Sequence, residues 1–358
     1  MLLLIVAAAV GVYLWISIER PYRGFPVEGA FVDLPHGASS RTVSRLLARN
    51  GVIRSAIAFE IYARQHPKRR LQAGEYFFDQ PISGHDVFWR IADGHIYEQP
   101  FTVREGETMF DIARDLEAGK FMGASEFLTA AKNPELIHDL APDAKTLEGF
   151  LYPATYNLPR HPAANELTAE MVKKFKEEWS RIRSTAQIAP ASGLTEHLVT
   201  LASLVERETP KSEERPLVAG VFENRLGKNM RLQCDPTVIY ALEQTGQYNG
   251  TLTGPDLKTD SPYNTYEHTG LPPGPIGNPG EESLRAAMTP TKTSFLYFVA
   301  NTQGGHFFAA TLEEHNRNVT KYRQLLKGPG ASEPPATPEP APPIAKNSER
   351  PQHRGATQ

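Results

Sequence analysis

The chain has 358 residues, room for two or three domains, with 22% charged residues and a formal net charge of −3. So small a charge argues against nucleic acid as the main partner. The single cysteine, Cys234, excludes an intrachain disulfide framework and a cysteine-built metal site, and is expected to be a small half-buried side chain.

Residues 1–18, MLLLIVAAAVGVYLWISI, carry no charge. Eighteen apolar residues at about 1.5 Å each reach across the hydrocarbon of a bilayer. A cleavable signal has a basic start, a shorter apolar core and a small-x-small site. Here no basic residue precedes the run, and Tyr13-Leu14-Trp15 stands where small residues would. A retained anchor over 1–18 is therefore expected. Arg20 and Arg23 follow it, which by charge alone favours a cytoplasmic body.

A weak internal repeat comes next. HGASSRTVSRLLARNG (36–51) aligns with EGETMFDIARDLEAGK (105–120), matching Gly37 to Gly106, Ser39 to Thr108, Val43 to Ile112 and Leu47 to Leu116. Each copy reads as strand, glycine turn, Ser/Thr cap and amphipathic helix. A related helix is expected over 82–94, after the strand-like AGEYFF. These are small α+β units.

A second region begins near Leu147. EGFLYPATYNL reads as extended, and a long amphipathic helix follows over about 166–185. The run ending in LASLVERET is a helix stopped by Pro210, SEERPLVAGVFENRLG (212–227) is another, and CDPTVIYALEQTG starts a third with Asp235 as N-cap and Pro236 as first residue. Residues 260–280, with five prolines, form a stiff shaped loop. ESLRAAM is a short helix, SFLYFVANTQGGHFFAAT a hairpin turning at 303–305, and LEEHNRNVTKYRQLL a closing helix. The Pro-rich stretch 328–358 has no apolar period and reads as a disordered tail.

Within LASLVERET, helical spacing puts Glu208 on the stripe of Leu198, Leu201, Leu204 and Val205, and Glu206 off it. A carboxylate on an apolar stripe is costly unless paired, protonated or facing a cleft; a helix-end side chain that snorkels to water is the plainer alternative. Phosphate-loop, dinucleotide, HExxH and GxSxG motifs are absent, and the histidine spacing suggests no metal. Carboxylate chemistry remains, with Glu206, Glu208, Glu223, Asp235 and Glu267 as candidates. Around them lie groups suited to sugars: Asn224, Gln233, Tyr263, Asn264, Tyr266 and Asn278. Amides hydrogen-bond hydroxyl and acetamido groups, and aromatic faces stack on pyranose rings.

The blocks LEGFLYPATYNL, LASLVERET, VAGVFENRLGKNMRLQCDPTVIYAL, SPYNTYEHTGLPPGPIGNPGEESLRAAMTP and FLYFVANTQGGHFFAATLEEHN together resemble the MltG (YceG-like) endolytic murein transglycosylase family. The resemblance spans about 1–327 and is strongest from Leu147. It implies an α+β chain: a transmembrane anchor (1–18), a LysM-like peptidoglycan-binding region (28–120) and a mainly helical, lysozyme-like catalytic domain with a β-hairpin (147–327). It implies a single-pass inner-membrane protein with a periplasmic body, reversing the charge-based orientation. It also implies cleavage of the β-1,4 bond between N-acetylmuramic acid and N-acetylglucosamine, leaving 1,6-anhydro ends, without metal or cofactor. Penicillin-binding synthases are the implied protein partners.

The family's catalytic glutamate maps onto Glu208. Gln233, Asn264, Tyr266 and Asn278 are expected to contact glycan, and Glu206 to support the site by pairing with Arg207, Arg215 or Arg225. Asp235, expected as a helix cap, is the second carboxylate that a hydrolase would use instead. The reading from another class is a non-catalytic scaffold that holds the wall and recruits synthases.

Overall fold

The computed structural model describes residues 1–186 and 194–326, so the stretch 328–358 lies outside the described residues. Within them the fold mixes helices with three two-stranded sheets. The chain divides into two compact units, one of residues 1–100 with 157–161, the other of 101–156 with 162 onward. The division falls at residue 100, so the first repeat copy lies in the smaller unit and the second in the larger.

The smaller unit starts with α1 (Leu2–Glu19), apolar all round and long enough to cross a membrane. Strand β1 (Ala30–Leu34) pairs antiparallel with β2 (Gly74–Phe78), Val32 opposite Tyr76. Alternation puts Val32, Leu34, Tyr76 and Phe78 on one buried face. That face is covered by α2 (Ser40–Arg49), α3 (Ala56–Gln65) and α4 (Gly84–Ala92), which contribute Leu47, Phe59 and Phe88 to a single core. Ser39, Ser55 and Ser83 each cap their helix through the side-chain oxygen. The sequence reading omitted α3, whose short apolar pattern AIAFEIYA has no clear period.

The second copy repeats the first: β3 (Gln99–Thr102), which spans the division at residue 100, a glycine turn, then α5 (Met109–Ala118) behind a full capping box of Thr108 and Asp111. The turn glycines Gly37 and Gly106 share positive φ, +72° and +81°, a conformation open to glycine at little cost. After α6 (Ala124–Ala131), also unforeseen, β4 (Thr155–Leu158) pairs with β3.

The helical body follows: α7 (Ala164–Ala186), α8 (Leu194–Glu208), α9 (Arg215–Gly227), α10 (Asp235–Gln244) and α11 (Glu281–Met288). Helix α11 packs on α7, α8 and α9, and α8 also touches α9 and α10. The hairpin β5 (Tyr297–Ala300) and β6 (His306–Ala309) is covered by α12 (Leu312–Leu326).

Candidate active site

Helix α8 is the central rod of the larger unit. Every residue from Leu198 to Val205 is buried, so the one-sided stripe expected from spacing does not exist and cannot separate the two glutamates. What separates them is their partners. Glu206 accepts from Arg215 Nη2 at 2.8 Å and from the Gly280 N–H at 2.9 Å, and its side chain is only 5% exposed. It is locked in a buried ion pair with Arg215, one of the three arginines expected. Burial pushes its pKa up, against the pull of the Gly280 N–H and of Arg215.

Glu208 ends α8, where Thr209 and Pro210 stop the helix. It has no salt-bridge partner among the described residues, and solvent reaches part of it. Protein nonetheless crowds the carboxyl, and this desolvation is the main force pushing its pKa up to about 7. The Asp235 charge adds to the rise, while a hydrogen bond with the Cys234 thiol and the Arg225 charge oppose it. A carboxyl so desolvated, on a side chain that is only half-buried as a whole, keeps its proton near neutral pH.

The neighbours come from three elements. Arg225 on α9 is buried. Its Nε donates to Leu296 O at 2.6 Å and its Nη1 to Leu232 O at 2.7 Å, so a fixed positive charge lies behind Glu208 without pairing it. Cys234 is 1% exposed, more deeply buried than expected, and its N–H donates to Thr265 Oγ1 at 3.0 Å. Asp235 is exposed and does not cap α10. Cys234 occupies the N-cap position, with no side-chain bond, and Asp235 instead accepts from the Tyr266 hydroxyl. Burial first, and the Asp235 charge second, hold the Tyr266 hydroxyl above its usual range, so it stays a donor. Gln233 takes a left-handed φ of +52° while its N–H donates to Thr265 O at 3.1 Å. Its half-buried side-chain amide has no protein partner among the described residues.

Two of the expected sugar contacts are structural instead. Asn264 is fully buried: its Nδ2 donates to Leu257 O (3.0 Å) and Thr259 O (2.9 Å), and its Oδ1 accepts from the Tyr266 N–H. Asn278 is equally buried, with Nδ2 on Glu107 O (2.8 Å) and Glu148 Oε1 (3.0 Å) and Oδ1 accepting from the Leu151 N–H. An amide with both donors and its oxygen satisfied inside protein has nothing to offer a glycan. Asn224 likewise spends its Nδ2 on Thr293 O and Phe295 O. Glu223 lies 3.5 Å from His197, Glu267 is exposed, and Tyr263 packs at a tilt against Tyr240.

These bonds make the proline-rich loop rigid. Besides Asn264 and Asn278, it is pinned to α8 by the Ile276 N–H on Ser203 Oγ (3.0 Å), and to the second repeat by the Gly106 N–H on Asn278 O (2.8 Å). A Cβ at Gly277 would lie 2.7 Å from Gly106 O, so glycine permits that approach.

Glu148 was not singled out from the sequence. It is 1% exposed, with both oxygens 3.0–3.1 Å from the Met109 N–H at the start of α5, and bonded to Asn278 and the Tyr240 hydroxyl. Burial pushes it up to about 8, while the Met109 and Tyr240 donors oppose that. Its only signal in the sequence is a charge between Leu147 and Phe150 in an otherwise apolar stretch.

The model of the YceG-like family matches residues 32–321. An endolytic murein transglycosylase of Bacillus subtilis is 34% identical over 307 residues, covering 81% of this chain and 84% of that protein. A protein of the same name from Streptococcus pneumoniae is 33% identical over 324 residues, covering 81% of this chain and 58% of that longer one. A crystal structure of a yceG-like protein from Listeria monocytogenes matches with a TM-score of 0.54 at 33% identity, covering 81% of this chain and 98% of that one.

Proposed function

The chain belongs to the YceG-like family, and on that premise we propose that it is an endolytic peptidoglycan lytic transglycosylase with Glu208 as its single acid/base. The observation that carries this reading is a carboxyl with no salt-bridge partner among the described residues, on a half-buried side chain at the end of a buried helix, held near pKa 7 by desolvation. The names of the Bacillus and Streptococcus relatives support the reaction class.

The substrate bond is the β-1,4 link between N-acetylmuramic acid and N-acetylglucosamine in nascent strands. Protonated Glu208 gives its proton to the N-acetylglucosamine O4 as the bond to the muramyl anomeric carbon breaks. The resulting carboxylate takes the proton of the muramyl 6-hydroxyl, whose oxygen bonds to that anomeric carbon. The product is a 1,6-anhydro end, water is not consumed, and one carboxyl serves both steps. Gln233 and Tyr266 contact the glycan; Asp235 supports the site by holding Tyr266 and raising Glu208; Glu206 supports it by tying α8 to the proline-rich loop.

The 28–120 region acts as LysM-like wall-binding structure and 147–327 as a lysozyme-like catalytic domain. Helix α1 anchors the chain in the inner membrane with its body in the periplasm, where the cut limits strand elongation beside penicillin-binding synthases.

The test is mass spectrometry of uncrosslinked glycan strands digested by the full chain. Anhydro-muramyl ends are expected from the unmodified protein, and a loss of turnover of at least about 10²-fold from Glu208→Gln with the fold intact. Reducing ends would instead make it a muramidase, and unchanged turnover in Glu208→Gln would remove the residue from the chemistry. Because the first step needs the acid form, turnover falls as pH rises through about 7.

A further inference from the structure

The chain's charge is unevenly placed. Residues 41–70, covering α2 and α3, hold eight arginines and lysines and one acid, Glu60, a net charge of +7. The other 328 residues carry −10. All eight basic side chains are exposed. Arg64 holds Glu60 at 2.6 Å and Arg69 lies 3.5 Å from Asp93; the other six have no carboxylate partner among the described residues.

This basic surface also carries apolar side chains that nothing covers. Ile57 is 69% exposed and Ile61, one helical turn on, is 41% exposed. With Arg64 they recur at 57, 61 and 64, which is one face of α3, and Arg54 lies just before its cap. Two aliphatic side chains flanked by arginines form the pattern of an element lying in a membrane interface.

The position of α1 says which surface this face meets. The last turns of α1 line a groove of about 290 Å³ with α3: Leu14, Trp15 and Ile18 on one side, Ala58, Ile61 and Tyr62 on the other. Ser17 and Ile18 are buried in the unit, and a Cβ at Gly84 would lie 3.1 Å from Ile18 Cδ1, so the end of α1 is embedded rather than tethered. Tyr13 and Trp15 stay about half exposed near that end, where aromatic residues mark the headgroup level of a spanning helix. Leu14 precedes Glu19 by about 7.5 Å along the axis. A helix packed beside it stands at the height of the lipid phosphates.

We propose that α2 and α3 form a membrane-docking surface, with Ile57 and Ile61 entering the interface and the surrounding arginines binding anionic phospholipid headgroups of the leaflet that α1 enters. This rests on α1 being a membrane anchor. Docking would hold the smaller unit flat on the bilayer instead of leaving it on a free stalk, and would fix the height at which it meets newly made strands.

The test uses the full chain in bilayers, with a fluorophore on Ile57→Cys or Ile61→Cys and buried Cys234 left in place. Resistance to alkaline extraction reports insertion of α1 independently. In bilayers containing phosphatidylglycerol, a headgroup-borne quencher is expected to reach both labels and a water-soluble quencher to be excluded. High salt should reverse this, and each exposed basic residue replaced by Ser, Arg45, Arg49 or Arg54, should weaken the docked state about fivefold. Labels equally shielded in pure phosphatidylcholine, or open to water in anionic bilayers although α1 is inserted, would overturn the proposal. So would shielding that appears only when an anionic wall polymer is added. Failure of α1 to insert would instead overturn the anchor reading.

Discussion

The two repeat copies have the same local structure and different surroundings. Residues 30–49 and 99–118 each run strand, positive-φ glycine, Ser/Thr cap, helix. Around Gly37 there is open space; a Cβ at Gly106 would lie 3.4 Å from Glu206 Cγ. The first copy caps its helix with its own Ser39, while the second adds a distant carboxyl, Glu148, on the Met109 N–H and a loop bonded back to Gly106. The same local code thus yields a plain structural element in one place and part of the active-site frame in the other, because what a turn presents depends on what packs against it.

The sharpest way to break this contrast is Glu148→Ala. It leaves the Met109 N–H, one Asn278 donor and the Tyr240 hydroxyl buried without their acceptor, and is expected to cost about 3 kcal/mol of stability. Urea denaturation reads this loss. The matched change Ser39→Ala removes only an exposed cap and should cost about 1 kcal/mol with turnover unchanged.

A pH series tests the same clamp. Glu148 is held at about 8 in the folded chain, above an unfolded glutamate's value of about 4.3. Between those values the folded chain keeps a proton that the unfolded chain releases. Its contribution to stability is therefore whole below about pH 4.3 and is lost as pH rises through about 8. Urea midpoints should fall over that window, and Glu148→Gln should flatten the slope. Glu208, held at about 7, contributes in the same direction and ends sooner.

The smallest effects come from the turns themselves. Gly37→Ala and Gly106→Ala each force alanine into a left-handed conformation, at about 1 kcal/mol. Equal thermal shifts are expected. Turnover should fall roughly tenfold in Gly106→Ala alone, because the strained turn lies against Glu206 and is bonded to the loop through the Gly106 N–H.

Much of this architecture is legible without coordinates. Caps at Ser39, Ser83 and Thr108, the Gly37 and Gly106 turns, the stop at Pro210 and the hairpin at 303–305 all lie where local chemistry puts them. Helices α3 and α6 escaped because short apolar runs carry no clear period. Asn264 and Asn278 look like sugar ligands in a sequence because an amide's partners are invisible there. In the structure those partners are backbone groups and the Glu148 carboxyl, up to 171 residues away.

By itself the sequence determined most of the helices, the caps at Ser39, Ser83 and Thr108, the stiffness of the 260–280 loop, the apolar run of α1 and the family to which the chain belongs. All of these depend on residue type and short spacing, where sterics and local hydrogen bonds decide. Only the tertiary structure decided that Glu206 is locked by Arg215 while Glu208 has no salt-bridge partner among the described residues, that Asp235 holds Tyr266 instead of capping α10, and that Glu148 is buried as a clamp. Those outcomes depend on desolvation and on donors brought from far along the chain, and no local pattern encodes either.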